Sequence, residues 1–170
     1  AALTALPAAA QTFTFAAIGD TPYFLPGDHE RLARVIAEIN DRMPRTHGNT
    51  LVPFSRVDRF VRTDRPLYET PPEPETPVVT SIAEQVAALV KDGATLQMGI
   101  GAIPDAVLSR LGDRQELGVH SEMFSDRLVD LVATGAVTNR HKKLFQGRIV
   151  TSFVAGTRRT FDFVDDNPLV

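Results

Sequence analysis

Glu122 lies in GVHSEMFSD, residues 118 to 126, among small and apolar neighbours, after a strand-like approach and before a helix-like run. Upstream, GIGAIP over residues 99 to 104 places Gly99 and Gly101 at another strand-to-helix junction. A carboxylate held against an activated carbonyl is a nucleophile. A glycine turn at a helix N-terminus offers main-chain N–H groups and partial positive charge to an oxyanion. Side by side, the two make a constellation able to transfer an acyl group. On spacing alone each has a plainer reading, Glu122 as a solvent-facing or dipole-favoured residue and the glycines as a structural turn. G-x-G-x-x-P also lacks the third glycine of a dinucleotide fingerprint and the Lys-Ser/Thr of a P-loop. His120 and Ser121 are of the types that make a base and a nucleophile, but neighbours on a strand point to opposite faces, which argues against a direct dyad. The basic residues Arg140, His141, Lys142, Lys143 and Arg148 either meet phosphates or form a solvated surface.

Two β-loop-α units must position these groups. Thr95 to Met98 read as a strand, Gly99 to Gly101 as a turn, and Pro104 as the first helical residue ahead of Val107, Leu108 and Leu111. LGVH is a second strand, followed by a cap at Ser125 or Asp126 and a helix carrying Leu128, Val129, Leu131 and Val132 up to Gly135. A further helix precedes them, with Ile82, Val86, Leu89 and Val90 on one face and Gly93 as its stop. Parallel strands joined by a helix bring their C-terminal tips to one edge, which sets the glycine turn beside Glu122. The spacing predicts strands near 13–18, 95–98, 117–120 and 149–154, and helices near 28–39, 81–91, 104–111 and 126–134. The fold class is α/β, a mainly parallel sheet of β-loop-α units.

Composition narrows the ligands. The chain has 170 residues, 43% hydrophobic and 23% charged, with a net charge of −3. That is ordinary for one or two globular domains, and it carries no electrostatic footprint for nucleic acid or an acidic membrane surface. There are no cysteines, so disulfides and thiolate chemistry are excluded. No apolar run approaches the roughly 20 residues a membrane span needs. Residues 1–11, AALTALPAAAQ, read as the tail of a signal peptide or as a frayed end. Residues 64–77 hold Pro66, Pro71, Pro72, Pro74 and Pro77 and read as an extended linker between residues 12–63 and residues 78–170.

From about Ile36 to Pro168 the chain resembles the acetyl-CoA hydrolase/transferase family. The resemblance rests on IAEINDRMPRTHGNT, VDRFVRTDRPLYE, DGATLQMGIGAIPDAVLSRL, LGVHSEMFSD, VDLVATGAVT and TSFVAGTRRTFDFVDDNP. It implies that Glu122 is the catalytic residue, that Gly99, Ile100 and Gly101 belong to the acyl-CoA site, and that coenzyme A enters as a thioester substrate, with no cofactor or metal. The implied partners are an acyl-CoA and a small carboxylic acid, without nucleic acid or membrane. A homo-oligomer stays open, and the expected location is the cytoplasm. The resemblance makes residues 12–63 a β-α unit plus a remnant of the first family domain and residues 78–170 part of the second. The family has a glycine where this chain has Arg127, an exchange expected to strain the turn or occlude the pocket.

Residues 12–40 separately resemble the start of a calcineurin-like metallophosphoesterase, with Asp20 at a strand tip as the first metal ligand. Pro22 stands where that family has a histidine, and its later motifs do not follow. One carboxylate does not hold a two-metal centre, so a strand-capping aspartate is the plainer reading. The chain therefore reads as a composite joined near Ile36 to Asn40. Two function classes follow, a CoA-transferase or its hydrolase variant, and a folded non-catalytic α/β fragment.

Overall fold

A computed structural model describes residues 36–40, 42–48 and 57–170, and these divide between Pro66 and Leu67 into two compact units. In the first unit β1 (Ile36–Asn40) pairs in parallel with β2 (Arg59–Thr63), Ile36 opposite Arg59 and Asn40 opposite Thr63. The spacing of Ile36 and Ile39 suggested that a helix reaches residue 39, and the strand corrects that. A β-branched pair three apart fits either element, and pairing with a distant strand decides it. The strand expected at 13–18, the rest of the helix at 28–39 and Asp20 lie outside the described residues.

The second unit begins with residues 67–76, which are tied to its body. Thr70 N–H donates to Gly156 O (2.9 Å), Glu69 accepts from Arg158 N–H (2.9 Å), and Glu75 pairs with Arg110. Helix α1 (Pro77–Leu89) starts four residues before the apolar stripe predicted, because Thr76 caps it, its Oγ1 accepting from Val79 N–H, and proline suits the first helical position. Its buried face is also not the expected one. Ala83 and Ala87 are buried against the unit, whereas Val86 is 40% and Leu89 79% exposed. Small residues let α1 approach closely. Val86 borders an apolar recess of about 270 Å³, shared with Leu96, Met98, Ile103 and Val107.

Strand β3 (Thr95–Leu96) leads into α2 (Ala102–Ser109), which starts two residues earlier than expected. Gly101, at φ +107°, turns the chain directly into the helix. Pro104 is tolerated in the first turn, where N–H groups have no intrahelical acceptor. Next come β4 (Gly118–Val119), β5 (Met123–Phe124), α3 (Asp126–Ala133) and β6 (Phe153–Val154). A last helix, α4 (Arg158–Val164), lies where the spacing predicts none. All strand pairing in this unit is parallel: β3 with β4, β5 with β6, and single bridges from Leu117 to Val137 and from His120 to Val150. Residues 117–124 thus act as the central strand. The N–H groups of Gly118 and His120 point to the β3 side, onto Ala94 O and Leu96 O. Those of Leu117 and Ser121 point the other way, onto Ala136 O and Val150 O. Beneath lie Leu108, Leu111, Leu117, Val119, Phe124 and Leu128, all buried, with Phe124 stacked on Phe163 at 5.7 Å.

Candidate functional site

Glu122 lies at the bend between β4 and β5, where the central strand passes from pairing with β3 to pairing with β6. Its carboxylate is exposed and its main chain is held firmly. The carbonyl accepts from Ser152 N–H (3.1 Å), Phe153 N–H (2.8 Å) and the Thr151 hydroxyl (2.9 Å). Three successive residues, Thr151 to Phe153, therefore support the peptide that carries the carboxylate, a role no spacing in the sequence signals.

The glycine turn is joined to this point by one side chain. The buried Ser121 hydroxyl donates to Met98 O (2.8 Å) and accepts from Met98 N–H (3.0 Å) and Met123 N–H (3.3 Å). Met98 precedes Gly99 and Ser121 precedes Glu122, so each proposed element sits one residue from a direct contact between the strand tips. Ser121 is thus not half of a dyad with His120. Its hydroxyl is spent on the main chain, and the His120 ring lies edge-on to Phe145 at 6.2 Å.

Two recesses meet at the turn. Gly99 borders the apolar one described above. Ile100 and Gly101 border a smaller one of about 40 Å³, walled by Thr70, Glu73, Asp105, Ser125 and Asp126. Among the described residues, no acceptor receives the N–H groups of Gly99, Ile100 or Gly101. An anion approaching from the small recess would face three carboxylates, so the Gly99 side is the one open to it. Burial raises the Asp105 carboxyl above its ordinary range, against a hydrogen bond from Ser125 (3.2 Å). Asp126 is driven up by burial too, but the Thr157 hydroxyl (2.7 Å), Thr157 N–H (2.8 Å) and the Thr160 hydroxyl (2.8 Å) together hold it below that range. Asp126 thereby fixes the residue before α4, Thr157, from another helix.

Other sequence candidates fall elsewhere. Arg127 is an ordinary helical residue without a positive φ and reaches Asp130 (3.4 Å), so the expected strain is absent. The basic run is split: Arg140 pairs with Glu116 (3.1 Å), Arg148 donates to Pro168 O (2.6 Å), and Lys142 is buried. Among the described residues no cluster of three or more His, Cys, Asp or Glu is placed to hold a metal ion, and no helix is long and apolar enough to cross a membrane.

This arrangement of short parallel strands and helices is a fold that known proteins share. No family model matches the chain. The succinyl-CoA:acetate/propanoyl-CoA:succinate CoA transferase of Fasciola hepatica is 49% identical over 142 residues, 83% of this chain and 30% of its own. The 4-hydroxybutyrate coenzyme A transferase of Clostridium kluyveri is 48% identical over 136 residues, 80% of this chain and 32% of its own. Among solved structures, RipA from Yersinia pestis matches with a TM-score of 0.76 at 42% identity, over 80% of this chain and 32% of that one. The 4-hydroxybutyrate CoA-transferase of Porphyromonas gingivalis gives 0.76 at 37%, over 81% and 35%. Over the matched region the chain is similar to these CoA-transferases in sequence and in fold. It spans about a third of the length of these relatives.

Proposed function

We propose that the protein is an acyl-CoA:carboxylate CoA-transferase, or its hydrolase variant, acting through a thioester on Glu122. The observation that carries this reading is the Ser121 hydroxyl, which binds the strand tip before Gly99 to the strand tip before Glu122. The Glu122 carboxylate attacks the thioester carbonyl, the C–S bond breaks, and CoA thiolate leaves behind a mixed anhydride. The thiolate then attacks the Glu122 carbonyl, releasing the acyl group as its carboxylate and leaving glutamyl-CoA. A second, small carboxylate takes over the CoA by the same steps in reverse, or water hydrolyses the thioester. Each adduct bears an oxyanion, and the turn of Gly99, Ile100 and Gly101 offers N–H groups to it from its Gly99 side; losing one such donor commonly costs about 100-fold in rate. CoA is a substrate, no cofactor takes part, and the cytoplasm, where acyl-CoA is made and used, suits that chemistry.

Ligand-dependent thermal unfolding tests the binding half. CoA at ten times its Kd stabilises the folded state by about 1.4 kcal/mol. The expected result is a raised midpoint with CoA in wild type and in Glu122→Ala, and none with Mn²⁺. A shift with Mn²⁺ and none with CoA contradicts the reading.

A further inference from the structure

Lys142 is 2% exposed, and its ammonium meets main-chain carbonyls alone: Val119 O at 2.7 Å and Arg148 O at 2.6 Å. Among the described residues it joins no ion pair. A buried cation without an anion is costly, and burial lowers its pKa. Its stem crosses β4 where the strand has a glycine: a Cβ on Gly118 would lie 2.6 Å from Lys142 Cγ. The two carbonyls belong to the two chain segments that converge on Glu122. One segment runs from Val119 to Glu122. The other runs from Arg148 to Phe153, joined to the first by Val150 N–H on Val119 O (3.2 Å), Ser121 N–H on Val150 O (2.9 Å), and finally Ser152 and Phe153 N–H on Glu122 O.

We propose that Lys142 is a positioning residue for Glu122, clasping residues 119–122 to residues 148–153 at the end remote from the carboxylate. Without the clasp both segments keep their sequence and neighbours but lose the anchor that sets their register, and the Glu122 peptide loosens. The functional part of this proposal rests on the reading of Glu122 as nucleophile; the structural part does not.

Native-state hydrogen exchange on Lys142→Met tests it. The amides of Ser152 and Phe153 should exchange about ten-fold faster or more, the scale set by losing hydrogen bonds from a charged donor, while the buried α1 amides of Ala83 and Ala87 keep their rates. With acetyl-CoA, the maximal rate of adduct formation should fall by a similar factor at an unchanged half-saturating concentration. If exchange rises equally throughout the unit, or not at all at Ser152 and Phe153, Lys142 is a general stabiliser and the proposal is overturned. Should Lys142→Met fail to fold, Lys142→Gln, which keeps most of the stem but loses the charge and one atom of reach, is expected to change the same amides in the same direction by a smaller factor. A wild type that forms no adduct refutes the nucleophile reading, and exchange at Ser152 and Phe153 still decides on Lys142.

Discussion

Single side chains hold this site together, and two carboxylates a helix apart show how environment sets their behaviour. Asp126 has a depressed pKa, so its contribution to stability is complete above the ordinary aspartate value of about 3.9 and is lost as pH falls through its lower native value. Asp105 has a raised one, so its ionised form costs stability above that ordinary value, and the cost disappears once acid protonates it. Urea unfolding as a function of pH should therefore show opposite signs. Asp126→Asn should destabilise the protein at pH 7 and lose its effect in acid. Asp105→Asn should stabilise it at pH 7, with the gain fading on acidification. Parallel behaviour of the two variants would refute the reversal of burial by the Thr157 and Thr160 bonds.

At the level of the elements, size and exposure rank the helices' contributions. Leu128 of α3 is fully buried, and Leu128→Ala should cost about 2–5 kcal/mol. Leu89 of α1 is 79% exposed, and Leu89→Ala should change stability by less than about 0.5 kcal/mol. Comparable losses measured by urea unfolding would mean that α1 buries the larger stripe after all. Where the sequence could be read, it was read through local chemistry: the glycine turn, the cap before α3 and the stop at Gly135 each depend on neighbours in the chain. The early start of α1 was legible in Thr76 and Pro77 but was masked by the prolines before them. Helix α4 has only seven residues and too short an apolar pattern to show a period, and its first residues are held by the distant Asp126. The tie from Ser121 to Met98 spans 23 positions and the support of Glu122 by Thr151 spans 29, so neither has a local signal. Lys142 looked like one of a solvated run because nothing next to it marks the strand it crosses.

For the whole molecule, the second unit carries its own core, from Ala87 to Val164, and the strands that lead to both tips of the proposed site pack on it, through Leu96 and Met98 on one side and Val119 on the other. The chemistry asked of this unit is therefore the first half-reaction: a bound thioester, a carboxylate and oxyanion donors suffice to form a covalent adduct. The most direct measurement is to incubate the protein with acetyl-CoA, trap with borohydride or hydroxylamine, and map the modified residue by peptide mass spectrometry. The expected result is modification of Glu122 in the wild type and none in Glu122→Ala. Modification of equal extent in both proteins would show that the carboxylate at the end of GVHSE is not the nucleophile.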